Sequence, residues 1–417
     1  MQPPSDCMVD YDPNALSVEE ALRRIDTDIQ PLAETEKVAL SECLGRVLGE
    51  DIISPLNVPA YANSAMDGYA LRGSDIPASG MRELHMIGTA WAGTPFAEPV
   101  EPGECVRIMT GALLPQGADT VIMQERVERQ GDKVQIDSRN KPGQHVRRAG
   151  EDLAAGQIVM HTGKLLRPAE LGVLASLGIA EIVLKRTLRV AFFTTGDELC
   201  SLGEPLSPGK IYDSNRYTIA GMLRRLGVTV IDLGIVRDRR EDIARAFTQA
   251  ASVADAIITS GGVSVGEADF VKETLEALGQ VSLWKIAMKP GRPLAFGKIE
   301  NSIFFGLPGN PVSAMTTFYQ FVQPALQRLM GQSATSNHLI KVPCVSRLKK
   351  APGRMEFQRG KLERDAGGQL TVRSTGEQGS GILSSMSQAD CFIVLPVTSG
   401  DVEPGNWVEV QLFEGLV

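Results

Sequence analysis

From Leu188 to about Met330 short apolar runs alternate with helix-length amphipathic runs, and this alternation constrains the fold more than any other feature of the chain. Leu188–Phe193, Val228–Val236, Ala254–Thr259 and Ile303–Phe305 read as strands; Tyr217–Leu226, Asp242–Ala251, Ala268–Leu278 and Pro311–Met330 read as helices. Strands alternating with helices predict a parallel sheet covered on both faces. In such a sheet, ligands bind outside the carboxyl ends of the strands.

The flanking regions have other rhythms. Ser17–Asp26 reads as a short amphipathic helix, with Ser17 as N-cap and Glu20 as its capping-box partner. Glu34–Arg46 reads as a short strand and a helical turn. From Pro55 to about Arg148, prolines and glycines separate short β-branched runs (Cys105–Met109, Thr120–Met123, Lys133–Ile136), which predicts a small β-rich domain. Gly150–Leu184 returns to longer elements, with a helix at Pro168–Leu177. From about His338 to Val417 the runs are short again, as in a small β-barrel or sandwich.

Composition narrows the function. The 417 residues carry 42 Lys and Arg against 50 Asp and Glu, a net charge of −8. That balance argues against broad binding to nucleic acid or an anionic membrane, so a bound anion must meet a local basic cluster. The longest nearly apolar stretch, Leu171–Leu184, is interrupted by Glu181 and is shorter than the roughly 20 residues of a membrane span. Met1–Asp10 lacks the regions of a signal peptide. Six scattered cysteines and four dispersed histidines point to a reduced, cytoplasmic protein without a His/Cys zinc site. Any metal should then be a hard cation on carboxylates.

Three predicted strands run straight into glycine-rich turns: AFFTTGDEL at Ala191–Leu199, IITSGGVSVGEADF at Ile257–Phe270 and FFGLPGNPVS at Phe304–Ser313. Glycines there permit close backbone approach to an anion, and helix N-termini add free N–H donors. Asp197, Glu198, Asp238, Glu267 and Asp269 all follow predicted strands. They serve either as helix caps or as a carboxylate cluster holding Mg²⁺ beside a phosphate, and both roles remain open. WKIAMKPGRP at Trp284–Pro293 holds Lys285, Lys289 and Arg292 between prolines, a rigid cationic loop suited to an oxyanion or phosphate. Pro308 and Pro311 bracket a turn that either shapes a pocket or starts the following helix. Two upstream loops, NSAMDGY at Asn63–Tyr69 with Asp67 and RIMTGA at Arg107–Ala112 with Thr110, are weaker signals; RRAGED at Arg147–Asp152 reads as a solvated turn. Lys349, Lys350, Arg354 and Arg359, within Arg347–Arg359, read as a charged surface strand.

Taken together, TTGDEL, SGGVSVGEADF, KPGRP and GLPGNPVS, with NSAMDGY, RIMTGA and RRAGED upstream in order, resemble the MoeA family of molybdenum cofactor biosynthesis. The resemblance covers essentially the whole chain. It implies a multidomain α/β plus β protein. A doubly wound parallel-sheet molybdopterin-binding domain would occupy 186–332 and a β-rich domain 55–148. A mixed linking or dimerisation domain would come from 1–54 and 149–185, and a C-terminal β-barrel would occupy 333–417. It implies a homodimer whose cleft lies between the α/β domain of one subunit and the β domain of the other.

The implied reaction is the Mg²⁺-dependent hydrolysis of adenylylated molybdopterin, releasing AMP, with insertion of molybdate. Asp67, Thr110, Asp152, Glu198, Asp238 and Asp269 would be catalytic, with Glu198 and Asp269 on the metal. Ser260, Gly261, Gly262 and Ser264 would cradle the pterin phosphate. Lys285, Lys289 and Arg292 would take molybdate, and Pro308 and Pro311 would shape its pocket. Arg292 stands where many members carry Lys, so the charge is kept while its geometry changes. Transient contact with the molybdopterin adenylyltransferase and with cofactor-accepting proteins would follow. Two other activities share parts of this pattern: the adenylyltransferase itself, expected to be a much shorter chain, and a gephyrin-like scaffold, expected to carry a further N-terminal domain and linker. A pterin- or nucleotide-binding protein without catalysis is the third.

Overall fold

The computed structural model describes residues 12, 14–261, 279–333 and 339–413. It divides into two compact units: Met1–Glu36, Gly45–Val47 and Leu184–Val417 form one, and Lys37–Leu44 with Leu48–Val183 form the other. The chain is a multidomain α/β plus β protein. Among the described residues, no helix is long and apolar enough to cross a membrane.

The first unit holds a six-stranded sheet ordered Thr229–Val236, Arg189–Thr195, Ala256–Ser260, Ser302–Leu307, Pro293–Ile299 and Gly279–Lys285. The first four strands are parallel. The last two run antiparallel to their neighbours. The sheet is therefore mixed, where the alternation predicts a parallel one. The departure begins at the turn between Ile299 and Ser302, where Glu300 adopts φ +52°. A turn that short joins only antiparallel neighbours. Trp284–Pro293, expected as a loop, gives Trp284 and Lys285 to one strand and Pro293 to the next.

One face of this sheet packs Ala191, Phe193, Ile257 and Phe304 against Ile243, Phe247 and Ala250 of the helix Arg240–Val253. Phe247 meets Phe193 and Phe304 edge-on at 5.1 and 5.5 Å. The helix expected at Tyr217–Leu226 starts earlier, at Ser214, because Asp213 caps it by accepting the Arg216 amide at 3.1 Å. The long helix expected at Pro311–Met330 is two α segments, Pro311–Thr317 and Gln323–Leu329, around a π-helical turn at Phe318–Val322. Pro324 has no N–H to continue an α ladder, and the wider turn precedes it. Ser17 does cap Val18–Asp28 through the Glu20 amide. Glu20 does not close the capping box; its carboxylate binds Arg23 and Arg24.

This unit also holds a second sheet, ordered Met288–Lys289, Met355–Arg364, Cys391–Leu395, Trp407–Leu412 and Leu339–Pro343, with Leu370–Ser374 on Met355–Arg364. Val342, Val372, Ile393 and Val410 lie in its core. Two members of the basic stretch expected on the surface are buried here. Lys350 is 5% exposed and donates to the Ala351 and Arg354 carbonyls, and burial pushes its ammonium pKa down. Arg359 is 1% exposed, and burial pushes it down to about 10. Its guanidinium donates to Ser385 and to the Gly379 carbonyl, so it ties a loop to the sheet rather than meeting solvent.

The second unit contains a six-stranded sheet ordered Thr120–Met123, Gly68–Leu71, Glu104–Ile108, Met81–Ala90, Lys133–Asp137 and Glu128–Gln130. Alternation along its strands feeds two cores. Tyr69, Leu71, Cys105 and Ile122 enter one, and Ala70, Val106, Ile108 and Val121 the other.

Candidate active site

In the first unit, the strand register aligns Thr194 with Ser260 and Ile235, and Ser260 with Leu307. The carboxyl ends of the four parallel strands therefore finish along one edge. Gly279–Lys285, parallel to these four through its antiparallel pairing with Pro293–Ile299, ends on that edge too. The chain leaves Arg189–Thr195 toward Thr229–Val236 on one side, while Ser302–Leu307 flanks Ala256–Ser260 on the other. The change of direction between Arg189–Thr195 and Ala256–Ser260 is the topological switch point where such sheets bind ligands.

Gly261 closes this point. Its φ is +92°, and a Cβ there would sit 2.3 Å from the Thr195 carbonyl oxygen, so only glycine fits. Ser260 is buried, and its hydroxyl donates to the Pro308 carbonyl at 3.2 Å. Asn215 was not singled out by sequence reasoning. Its amide donates to Ser260 Oγ at 2.8 Å and to the Gly309 carbonyl at 2.7 Å, joining three loops. Its signal was the Asp-Ser-Asn run at a helix start. Asn215 Oδ1 and Thr195 Oγ1 are buried with no hydrogen-bond partner among the described residues. Pro311 takes the first turn of its helix, and Pro308 lies in the turn before it.

Asp197, Glu198 and Asp238 gather at the same edge. The Asp238 amide faces Asp197 Oδ1 at 3.5 Å. Burial first, then the charges of Asp197 and Glu198, push the Asp238 carboxyl above the usual carboxylate range. Gly262, Ser264, Glu267, Asp269 and the helix expected at 268–278 lie outside the described residues.

The three cations differ. Lys285 Nζ and Arg292 Nη2 both reach Asp12 Oδ2, at 3.2 and 3.4 Å. Asp12, another residue the sequence reading passed over, has its carboxyl lowered first by the Asn14 amide and then by Lys285. Lys289 is half exposed, and its Nζ lies 4.0 Å from Glu356 Oε1.

In the second unit, Asp67 Oδ1 accepts the Thr110 amide at 2.7 Å and the Thr110 hydroxyl at 2.8 Å. Those bonds, followed by the Arg107 charge, lower its carboxyl. Gly111, at φ +80°, turns the chain so that its amide meets the Ser64 carbonyl at 2.8 Å. The two weak upstream loops are thus one exposed carboxylate–hydroxyl pair. Asp152 sits on another turn, its amide on the Val58 carbonyl at 3.0 Å, and its carboxylate makes no bond to this pair.

An α/β sheet with a glycine-closed switch point and neighbouring carboxylates defines the class of α/β proteins that bind a small ligand at the carboxyl ends of their strands. Three family models match successive parts of the chain: "MoeA N-terminal region (domain I and II)" over 16–178, "Probable molybdopterin binding domain" over 191–328 and "MoeA C-terminal region (domain IV)" over 341–413. The chain belongs to the MoeA family. It is similar to a molybdopterin molybdenumtransferase of Haemophilus influenzae, with 47% identity over 96% of this chain and 100% of the relative. Gephyrin of Dictyostelium discoideum is 35% identical over 96% of this chain and 62% of its own length. The crystal structure of the molybdopterin biosynthesis moeA protein from Pyrococcus horikoshii superposes with a TM-score of 0.83 at 30% identity, covering 96% of this chain and all of that one.

Proposed function

We propose that this chain is the enzyme that transfers molybdenum to molybdopterin, taking adenylylated molybdopterin and molybdate and releasing AMP. The observation that carries the reading is the gathering, at the carboxyl ends of the parallel strands, of the Gly261 turn and three carboxylates. Full-length similarity to molybdenumtransferases supports it over the adenylyltransferase and the scaffold. In this reading the Ser260–Gly261 turn approaches the substrate phosphate. Lys289 presents its donors to molybdate, while Lys285 and Arg292, fixed on Asp12, add positive field. Pro308 and Pro311 stiffen the wall. Asp67 with Thr110, and Asp152, are the further residues assigned to catalysis in this reading.

The carboxylates fit Mg²⁺. Their oxygens are hard donors, and mutual repulsion at Asp238 is what a cation would relieve. Among the described residues, no three side chains already enclose a metal ion. Mg²⁺ commonly uses one or two carboxylates and completes its shell with substrate phosphates and water. Glu198 and Asp238 would hold it, and Asp269 would join from outside the described residues. Once bound, the ion neutralises charge developing on the phosphate link. A homodimer in the cytoplasm, docking transiently with the adenylyltransferase and cofactor-accepting proteins, belongs to the same proposal.

The test is AMP release from adenylylated molybdopterin, with and without molybdate, at fixed Mg²⁺. Molybdate-dependent release is expected. Tight substrate binding without release would leave a carrier or scaffold. ATP consumption with molybdopterin would make it the adenylyltransferase.

Asp238→Asn should raise the unfolding temperature at neutral pH without Mg²⁺. The raised carboxyl holds its proton more tightly when folded. Its stabilising effect is therefore full below the unfolded value and lost as pH rises through the folded one. The gain should vanish in acid below the usual carboxylate range. Mg²⁺ should stabilise the wild type more than the variant. Equal Mg²⁺ stabilisation of both proteins would remove Asp238 from the metal.

Asp67→Ala should leave the unfolding temperature nearly unchanged, since the carboxylate is exposed and tethers only one turn. Turnover should fall about a hundredfold if Asp67 acts in the transition state. Normal turnover by the folded variant would take it out of the site.

A further inference from the structure

Lys289 is placed differently from its two neighbouring cations. Lys285 and Arg292 are spent on Asp12. Lys289 Nζ stands 4.0 Å from Glu356 Oε1, inside ion-pair range but beyond hydrogen-bond length. No acceptor among the described residues takes its protons. Behind it, Glu356 is only 4% exposed. Its other oxygen accepts Gln358 Nε2 at 3.0 Å. A buried carboxylate is tolerated only with hydrogen bonds and opposite charge nearby. Lys350 supplies some of that charge, but its ammonium donates to the Ala351 and Arg354 carbonyls.

Backbone register sets the pair. Met288–Lys289 runs parallel to Met355–Glu356, with Lys289 opposite Glu356. The Met355 amide binds the Ala287 carbonyl at 2.9 Å, and the Ala287 amide binds Leu16 at 2.7 Å. The lysine's backbone is therefore pinned from both sides.

We propose that Glu356 is a positioning residue for Lys289 in oxyanion binding. Attraction across a gap too long for a hydrogen bond fixes the direction of the ammonium while leaving its three N–H donors to the substrate oxyanion. A closer carboxylate would occupy a donor, as Asp12 does for Lys285. The inference rests on the proposed function and adds a residue from the C-terminal sheet to it.

A double-mutant cycle tests it, using the full chain as wild type, Glu356→Gln, Lys289→Ala and the double variant. The readouts are kcat and KM for molybdate, direct binding of adenylylated molybdopterin, and thermal unfolding. Glu356→Gln should raise the molybdate KM about tenfold, with kcat and substrate binding within about twofold, which is the size of a lost hydrogen bond to a charged group. In the Lys289→Ala background the same change should add nothing. Glu356→Asp should recover part of the loss. An equal penalty in both backgrounds, or an unchanged KM, overturns the inference while leaving the function standing. Absence of molybdate-dependent turnover in the wild type overturns both.

Discussion

Lys289→Ala is expected to lower kcat/KM for molybdate about a hundredfold while binding of adenylylated molybdopterin stays within a fewfold. Charge-assisted hydrogen bonds contribute about 1.5–3 kcal/mol each, so losing even one or two of them reaches that size. The residue is singled out because its neighbours are already committed to Asp12. Removing it also strips Glu356 of its partner across the 4.0 Å gap, so a modest fall in unfolding temperature should accompany the kinetic loss. Steady-state kinetics with molybdate varied, beside a direct binding titration of the adenylylated substrate, separate the two effects. Equal loss of both would assign Lys289 to general phosphate recognition.

Gly261→Ala should be the more damaging change to the fold. A side chain at φ +92° carries about 1–2 kcal/mol of left-handed strain. The added Cβ would also meet the Thr195 carbonyl oxygen at 2.3 Å, and a backbone atom cannot rotate away. Overpacking of that kind adds about 1–3 kcal/mol. The sum, about 3 kcal/mol, corresponds to a fall of roughly 6 °C or more in unfolding temperature. Gly103→Ala is the control, since its φ is +85° but its Cβ would find open space. The control should show the strain alone. If both variants unfold at the same temperature, the close approach at the switch point is not real.

The α/β region was legible because its signals are local. Glycine after a strand and an amphipathic period of helix length both lie within a few residues of each other, and the parallel strands follow them. The pairing of Asp67 with Thr110 was not readable from residues alone, because it joins positions 43 apart through an exposed turn. Asp12 and Glu356 were passed over for a related reason. Each acts on the cationic segment from a distant part of the chain, and single acidic residues carry no pattern. The basic stretch at Arg347–Arg359 misled because charge normally marks solvent. Lys350 and Arg359 are buried on carbonyl oxygens, which any sequence supplies everywhere. The antiparallel strands were missed because Gly279–Lys285 and Pro293–Ile299 flank the cationic segment, whose prolines and charges dominate the local reading.

The strand Met288–Lys289 gives the molecule an indivisible part. It hangs from the end of one sheet and pairs within the other. Residues 286–292 therefore answer to two cores at once. A deletion that removed 339–413, or a chimera that exchanged only 186–332 with a relative, would leave Lys289 without the backbone neighbour that sets its place. Transplanting this cationic segment into another framework would require carrying Met355–Glu356 along with it, although they lie more than sixty residues further on.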